Sequence, residues 1–87
     1  MRGRALVGWN LKRERVLQRV SQERLAFDSG VDRSYLSGLE RGEENPTVDV
    51  LDRLAETLSI PVRDLFREPE EGEAPPASLP KGRRPSK

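Results

Sequence analysis

The segment of residues 21–42, SQERLAFDSGVDRSYLSGLERG, limits the possible folds of this 87-residue chain more than any other part. Ser21 and Asp32 belong to the residue types that cap helix N-termini, because their side-chain oxygens accept hydrogen bonds from first-turn N–H groups. Gly30 and Gly42 each follow a helical pattern, where a left-handed residue can end a helix. The segment therefore predicts two short helices joined by a tight turn, a helix-turn-helix unit.

Apolar side chains recur at helical spacing on both sides of this segment, which predicts further helices rather than strands. One stripe includes Val7 and Leu11, and another includes Leu51 and Leu54. We expect helices over residues 6–18, 22–29, 33–41, 48–58 and 61–66. The chain is therefore predicted to form a compact, five-helix, all-α domain over residues 1–67.

Residues 68–87 are rich in proline and charge and contain almost no large apolar side chains. Such a segment buries too little apolar surface to offset the entropy lost on ordering, so we expect a disordered tail. Its basic end, with Lys81, Arg83 and Arg84, has two interpretations. A solubilising tail is the simpler one, and an arm for the DNA minor groove is the other.

The composition argues against several kinds of site. The chain has no cysteine and no histidine, so disulfides and thiolate metal sites are excluded and histidine-based catalysis lacks its base. We therefore expect no bound metal, no cofactor and no enzymatic activity. The sequence also lacks the roughly 18 consecutive apolar residues of a membrane span and the apolar stretch of a signal peptide. We expect a cytoplasmic protein.

The net charge of +1 conceals an uneven distribution of charge along the chain. Residues 1–24 carry seven basic and two acidic side chains, whereas residues 25–66 carry four basic and nine acidic ones. A domain of this kind can present a basic face to DNA even though its total charge is small. The simpler alternative is an ordinary solvated surface of mixed charge.

The central segment resembles the phage-repressor-like helix-turn-helix proteins, also called the xenobiotic-response-element family of bacterial and phage regulators. The matching residues are Ser21, Gln22, Ala26, Gly30, Val31, Leu36, Leu39, Glu40, Arg41 and Gly42, followed by Asn45, Pro46, Thr47, the run of residues 54–58, Leu65 and Phe66. The resemblance covers roughly residues 5–67. It implies a lambda-repressor-like fold whose third helix enters the major groove of double-stranded DNA.

The resemblance also implies a set of residues that contact DNA. They are Gln22, Arg33, Ser34, Tyr35, Ser37, Asn45 and Thr47. Arg33 is the expected base reader, because its forked donors match the two acceptors of guanine; a phosphate contact is the alternative. Gln22 is expected to touch phosphate and support the recognition helix. Tyr35 is expected at a phosphate or beside a base, with partial burial as the alternative.

Three further features follow from the resemblance. Arg15 and Glu40 are expected to form a salt bridge that fixes the third helix to the first. Gly38 departs from the family by lacking a polar side chain, which removes one possible base reader. Glu43 and Glu44 replace the basic residues often found in the following loop, so they are expected to weaken phosphate contact.

The apolar side chains near residue 60 exceed what a short terminal helix needs for its own packing. They are Ile60, Val62, Leu65 and Phe66. Because a domain this small has a marginal core, we expect a homodimer built on helices four and five. Two-fold symmetry would place two recognition helices about 34 Å apart on a palindromic operator. Trp9 is expected either to pack on helix five or to contact the second subunit.

These inferences predict a sequence-specific, DNA-binding transcriptional regulator. The sequence shows no effector domain, which suggests regulation by concentration, as in restriction–modification controllers or phage switches. The alternative is a protein–protein adaptor or antitoxin-type module that uses the same fold without reading DNA.

Overall fold

The structure is a computed structural model that describes residues 1–79. Its elements are α1 (Gly3–Leu17), α2 (Gln22–Ser29), α3 (Arg33–Glu40), α4 (Val48–Thr57) and a 3₁₀ helix (Val62–Phe66). No strand occurs within the described residues. The prediction of an all-α domain is therefore confirmed.

The predicted capping residues and helix-ending glycines are confirmed by their hydrogen bonds and backbone angles, whereas α1 begins at Gly3, three residues before the predicted start at Leu6. The side-chain oxygens of Ser21, Asp32 and Thr47 accept first-turn backbone N–H groups at 3.0, 3.0 and 3.1 Å. Gly30 and Gly42 adopt left-handed backbone angles, with φ of 75° and 76°. The boundaries are thus set by local chemistry, because glycine takes this conformation without the steric cost of a Cβ atom.

The predicted fifth helix is a 3₁₀ helix, so the expectation of five α-helices is wrong by one element. The N–H of Asp64 donates to the carbonyl of Pro61 at 3.0 Å, a spacing of three residues. Val62–Phe66 has only five residues, and so short a segment forms few of the i to i−4 hydrogen bonds that stabilise an α-helix.

One apolar core joins the four α-helices and the 3₁₀ helix. Its fully buried leucines are Leu11, Leu25, Leu36, Leu39, Leu54, Leu58 and Leu65. Leu65 was predicted at a dimer interface, and the structure corrects this, because its side chain is enclosed within its own chain. Ile60 and Val62 are half-buried against the same core. Phe66, which is 46% exposed, is the one residue of that predicted set that the structure leaves exposed.

Asn10 is the polar residue that fastens the 3₁₀ helix to α1. Its fully buried amide group donates to the carbonyl oxygens of Leu6 at 3.0 Å, Leu65 at 3.1 Å and Arg67 at 2.7 Å. Two of these acceptors lie where the 3₁₀ helix ends, and their backbone groups need a donor once they are buried. Asn10 therefore supplies the hydrogen bonds that close the C-terminal side of the domain.

Trp9 is half-buried on α1, beneath the side chain of Arg67. The guanidinium carbon of Arg67 lies 5.6 Å from the centroid of the Trp9 ring, within the range of a cation–π contact. Glu73 accepts from Arg67 at 3.0 Å and lies 3.4 Å from Arg13. The hydrogen bond from Arg67 lowers the pKa of Glu73, so this contact stabilises the fold above the ordinary carboxyl pKa and weakens as pH falls.

The contacts of Glu73 show that part of the predicted tail packs on the domain. Glu73 lies beyond the predicted domain boundary at residue 67 and nevertheless contacts α1 through Arg13. Residues 68–79 contain no helix or strand. The basic end of the tail, with Lys81, Arg83 and Arg84, lies outside the described residues, so the minor-groove arm stays a prediction.

We predict that Asn10→Leu lowers the free energy of unfolding by about 1–3 kcal/mol, because it leaves buried carbonyl groups without a donor. Leucine has a similar volume, so the loss reports hydrogen bonding more than packing. Urea denaturation monitored by circular dichroism measures the change. Asn45→Leu, the same substitution at an exposed position, is the control and should change stability by less than about 0.5 kcal/mol. Equal stability of the two variants would contradict the prediction.

Candidate nucleic-acid interface

A buried ion pair between α1 and α3 supports the candidate interface. Arg15 Nε lies 2.6 Å from Glu40 Oε2, and Arg15 Nη2 lies 2.8 Å from Glu40 Oε1. The two side chains are only 6% and 4% exposed. The structure thus contains the salt bridge that the family resemblance implies. This two-point geometry fixes the orientation of both side chains as well as their distance.

Gln22 extends the ion pair to α2. Its Nε2 donates to Glu40 Oε1 at 3.0 Å, which leaves its second amide proton free. Arg15 Nη1 also donates to the carbonyl of Val20 at 2.8 Å, in the turn before α2. The carboxylate of Glu40 is therefore the common acceptor that joins α1, α2 and α3.

Gly8 allows α1 to approach the end of α3 closely. A Cβ atom at this position would collide with the carbonyl oxygen of Leu39 and would lie 2.9 Å from that of Glu40. Both of these are backbone atoms, which cannot move aside without moving α3. This role of Gly8 was not predictable from sequence, because a glycine within a helical pattern carries no sign of the helix that will pack against it.

The exposed side of α3 presents three of the seven predicted contact residues. Arg33 and Ser34 are exposed at its N-terminus, and Ser37 is half-buried one turn later. Tyr35 is half-buried against the core, as the alternative interpretation of this residue proposed. The N-terminus of α3 therefore exposes a guanidinium and a hydroxyl to solvent on successive residues.

The loop after α3 is held to that helix by several hydrogen bonds. The N–H of Glu43 donates to the carbonyl of Gly38 at 2.9 Å. Arg41 donates to Ser37 Oγ at 2.6 Å and to Glu43 Oε1 at 3.2 Å. The hydrogen bond with Glu43 raises the pKa of Arg41. The loop and the exposed side of α3 therefore form one surface.

The remaining predicted contact residues lie at the far end of this loop. Asn45 is exposed and therefore accessible to a ligand. Thr47 is exposed too, although its hydroxyl already accepts from the N–H of Val50 as the cap of α4. Gln22, Arg33, Ser34 and Ser37 are thus grouped around α3, whereas Asn45 and Thr47 are offset toward α4.

The described residues contain no group of three or more acidic, histidine or cysteine side chains able to hold a metal ion. None of the helices in residues 1–79 has the length and apolar run needed to cross a membrane.

Comparison with known proteins assigns the chain to a family. A family model described as helix-turn-helix matches residues 11–65, which is more than half of the chain. The chain belongs to this helix-turn-helix family. The expected fold and family resemblance are therefore confirmed, and several of the relatives are named as HTH-type transcriptional regulators.

Individual relatives of this helix-turn-helix chain agree with the assignment. An uncharacterized HTH-type transcriptional regulator, y4dJ of Sinorhizobium fredii, is 46% identical over 57 residues, which cover 66% of this chain and 74% of the relative. The restriction–modification controller protein C.AhdI of Aeromonas hydrophila superposes with a TM-score of 0.70 at 43% identity, covering 72% of this chain and 96% of C.AhdI.

A third relative has been solved with DNA. The controller protein C.Esp1396I, as a tetramer in complex with its natural 35 base-pair operator, has a TM-score of 0.67 at 25% identity. The match covers 77% of this chain and 99% of that protein.

We predict that Arg15→Ala lowers the free energy of unfolding by about 3–5 kcal/mol, because the Glu40 carboxylate stays buried without its cation. The control is Arg24→Ala, which breaks the exposed pair with Asp28, whose side chains are 68% and 36% exposed. That change should cost less than about 1 kcal/mol. Urea denaturation of both variants measures the difference. A cost below 1 kcal/mol for Arg15→Ala would show that the pair is not needed for stability.

Proposed function

We propose that this chain is a sequence-specific, DNA-binding transcriptional regulator whose helix α3 enters the major groove. The observation that carries the proposal is the exposure of Arg33 and Ser34 at the N-terminus of a helix fixed by a buried ion pair. Base recognition requires side chains held at a defined position relative to the backbone of DNA. The operator complex of the relative C.Esp1396I supports the proposal. We infer a binding function and no catalysis.

Each contact residue has a role that its environment permits. Arg33 reads guanine through its two parallel donors. Gln22 binds phosphate with the amide proton that Glu40 leaves free, next to the N–H groups at the start of α2. Ser37 accepts from Arg41 and keeps its own hydroxyl proton for DNA. The contacts thus divide into one main base reader and several positioning groups.

We also propose a homodimer that leaves the two recognition helices facing a palindromic operator. The exposed ring of Phe66 lines a groove together with Val48, Leu51 and the start of α1. Val48 is 68% exposed and Phe66 46%, so both offer apolar surface that a second subunit would cover. Because Leu65 is buried in the core, we assign Phe66 and Val48 to the centre of this interface.

A protein–protein adaptor, including an antitoxin-type module, is the second candidate function. Two observations favour it. Glu43 and Glu44 place negative charge beside α3, where a polyanion would be repelled. Phe27 on α2 is 80% exposed and offers an aromatic contact for a partner protein. The DNA-binding experiment below separates this function from the proposed one.

We predict that the full chain prefers DNA from its own promoter region over random duplex, with affinity falling as salt rises because phosphate contacts release counterions. Arg33→Ala should lose most of that preference, corresponding to roughly 1–3 kcal/mol of discrimination. Gln22→Ala should weaken binding to both duplexes alike. Fluorescence anisotropy at several salt concentrations measures these effects.

Arg63→Ala is the control for this experiment, because it removes the same charge from the 3₁₀ helix, which packs on α1 and α4. It should leave the preference unchanged. Absence of wild-type binding even at low salt would exclude the DNA-binding function and leave the adaptor.

We predict that Phe66→Glu weakens self-association by about 30-fold or more, because it places a charge at the centre of the proposed interface. Phe66 is exposed in the single chain, so the fold should persist. Sedimentation at a series of concentrations measures the dissociation constant. Phe27→Glu, the same substitution on α2, should leave it unchanged. A wild-type chain that stays monomeric at high concentration would overturn the dimer.

A further inference from the structure

The side chain of Glu44 lies against α3 at Gly38, the residue of that helix that has no side chain. A Cβ atom added to Gly38 would lie 2.8 Å from Glu44 Oε2 and 2.9 Å from Glu44 Cγ. Gly38 is buried for this reason, although the only expectation for it was the loss of a possible base reader on the recognition helix. The loop carboxylate therefore occupies the space into which a side chain of residue 38 would project.

The backbone of the loop holds Glu44 in this place. Gly42 takes its left-handed conformation and donates to the carbonyl of Leu39 at 3.0 Å, and the N–H of Glu43 donates to the carbonyl of Gly38 at 2.9 Å. Gly42 also packs against α1, where its added Cβ would lie 3.3 Å from the Cα of Ala5. These contacts fix the backbone of the turn, and the side chain of Glu44 then lies against Gly38.

Glu43 and Glu44 differ in whether their carboxylates have a partner in the structure. Glu43 accepts from Arg41 at 3.2 Å and is therefore paired. The carboxylate of Glu44 forms no ion pair and no hydrogen bond within residues 1–79, and the residue is only half-exposed. Its acceptor oxygens are thus available to a ligand that approaches α3.

The location of Glu44 continues the row of predicted contact residues. Residues 34 and 38 are four apart and lie on the same side of α3. Ser34 is exposed on that side, and Glu44 takes the place of a side chain at residue 38 one turn further along. A base edge that lies along this side of α3, one turn beyond Ser34, would therefore meet the carboxylate.

We propose that Glu44 is a specificity-determining residue that accepts a hydrogen bond from the N4 amino group of a cytosine in the major groove. A carboxylate is an acceptor only, and among the major-groove edges cytosine presents a donor without an adjacent ring acceptor. Guanine O6 and N7 and thymine O4 are acceptors and would repel it. Glu44 therefore selects cytosine at one base pair of each half-site and rejects guanine on the same strand.

This inference rests on the proposed DNA-binding function, and the test separates the two. The full-length wild type, Glu44→Gln and Glu43→Gln are each used to select sites from a random duplex library, and binding is then measured on the selected site and its single-base variants. Both substitutions remove one negative charge from adjacent residues, so they are matched for general repulsion of phosphate.

We expect Glu44→Gln to lower the preference for cytosine over guanine at one base pair by about tenfold, because an amide can also donate to purine acceptors. The other positions of the site should keep their preferences. Glu43→Gln should change the affinity for all sequences by one common factor. If Glu44→Gln behaves in the same way, Glu44 acts by repulsion alone and the inference is overturned. If the wild type selects no sequence, the proposed function fails and this inference fails with it.

Gly38→Ala provides a second route to the same result. The added Cβ would displace the Glu44 side chain from its Cγ outward, and alanine favours the helix over glycine, so the domain should stay folded. We expect the preference to fall at the same base pair as in Glu44→Gln. A loss at a different base pair, or none, would contradict the assignment.

Discussion

The ion pair between Arg15 and Glu40 is the interaction on which the arrangement of the first three helices depends. Its carboxylate receives donors from α1 and α2 while belonging to α3, so one buried charge fixes three elements. Gly8 permits this contact, because any side chain there would separate the two helices. Burying an ion pair costs desolvation energy, so its main effect is on the orientation of the helices rather than on stability. It holds the exposed end of α3 in one orientation.

The parts of the fold that depend on neighbouring residues were predictable from sequence. Ser21, Asp32 and Thr47 cap their helices as expected, because a capping oxygen needs only an N–H group three residues away. Gly30 and Gly42 end their helices for an equally local reason. The all-α class and the helix-turn-helix unit follow from these signals and from the spacing of the apolar side chains.

The features that depend on distant contacts were not predictable. In the sequence, Asn10 is one polar residue among others in a helical pattern. Its role becomes visible only in the fold, where the 3₁₀ helix supplies its buried acceptors. Leu65 was expected at an interface, because its apolar character does not reveal which side of a short helix faces the core. Gly38 was expected only to remove a possible base reader, whereas the tertiary fold places the side chain of Glu44 against it. The exposure of the first residues of α3 was predictable from sequence, whereas the position of the Glu44 side chain beside that helix was not.

Asn10 and Arg15 are only five residues apart on α1, a distance of about 7.5 Å along the helix axis. One anchors the 3₁₀ helix with its exposed Phe66, and the other anchors α3. In the proposed dimer a single proline-free helix therefore sets the separation between the surface that joins two subunits and the surface that meets DNA. One extra base pair between half-sites would shift them by about 3.4 Å and rotate them by roughly 35°. A continuous helix has no hinge to absorb that change. The proposed dimer would therefore distinguish operators by the spacing between their half-sites.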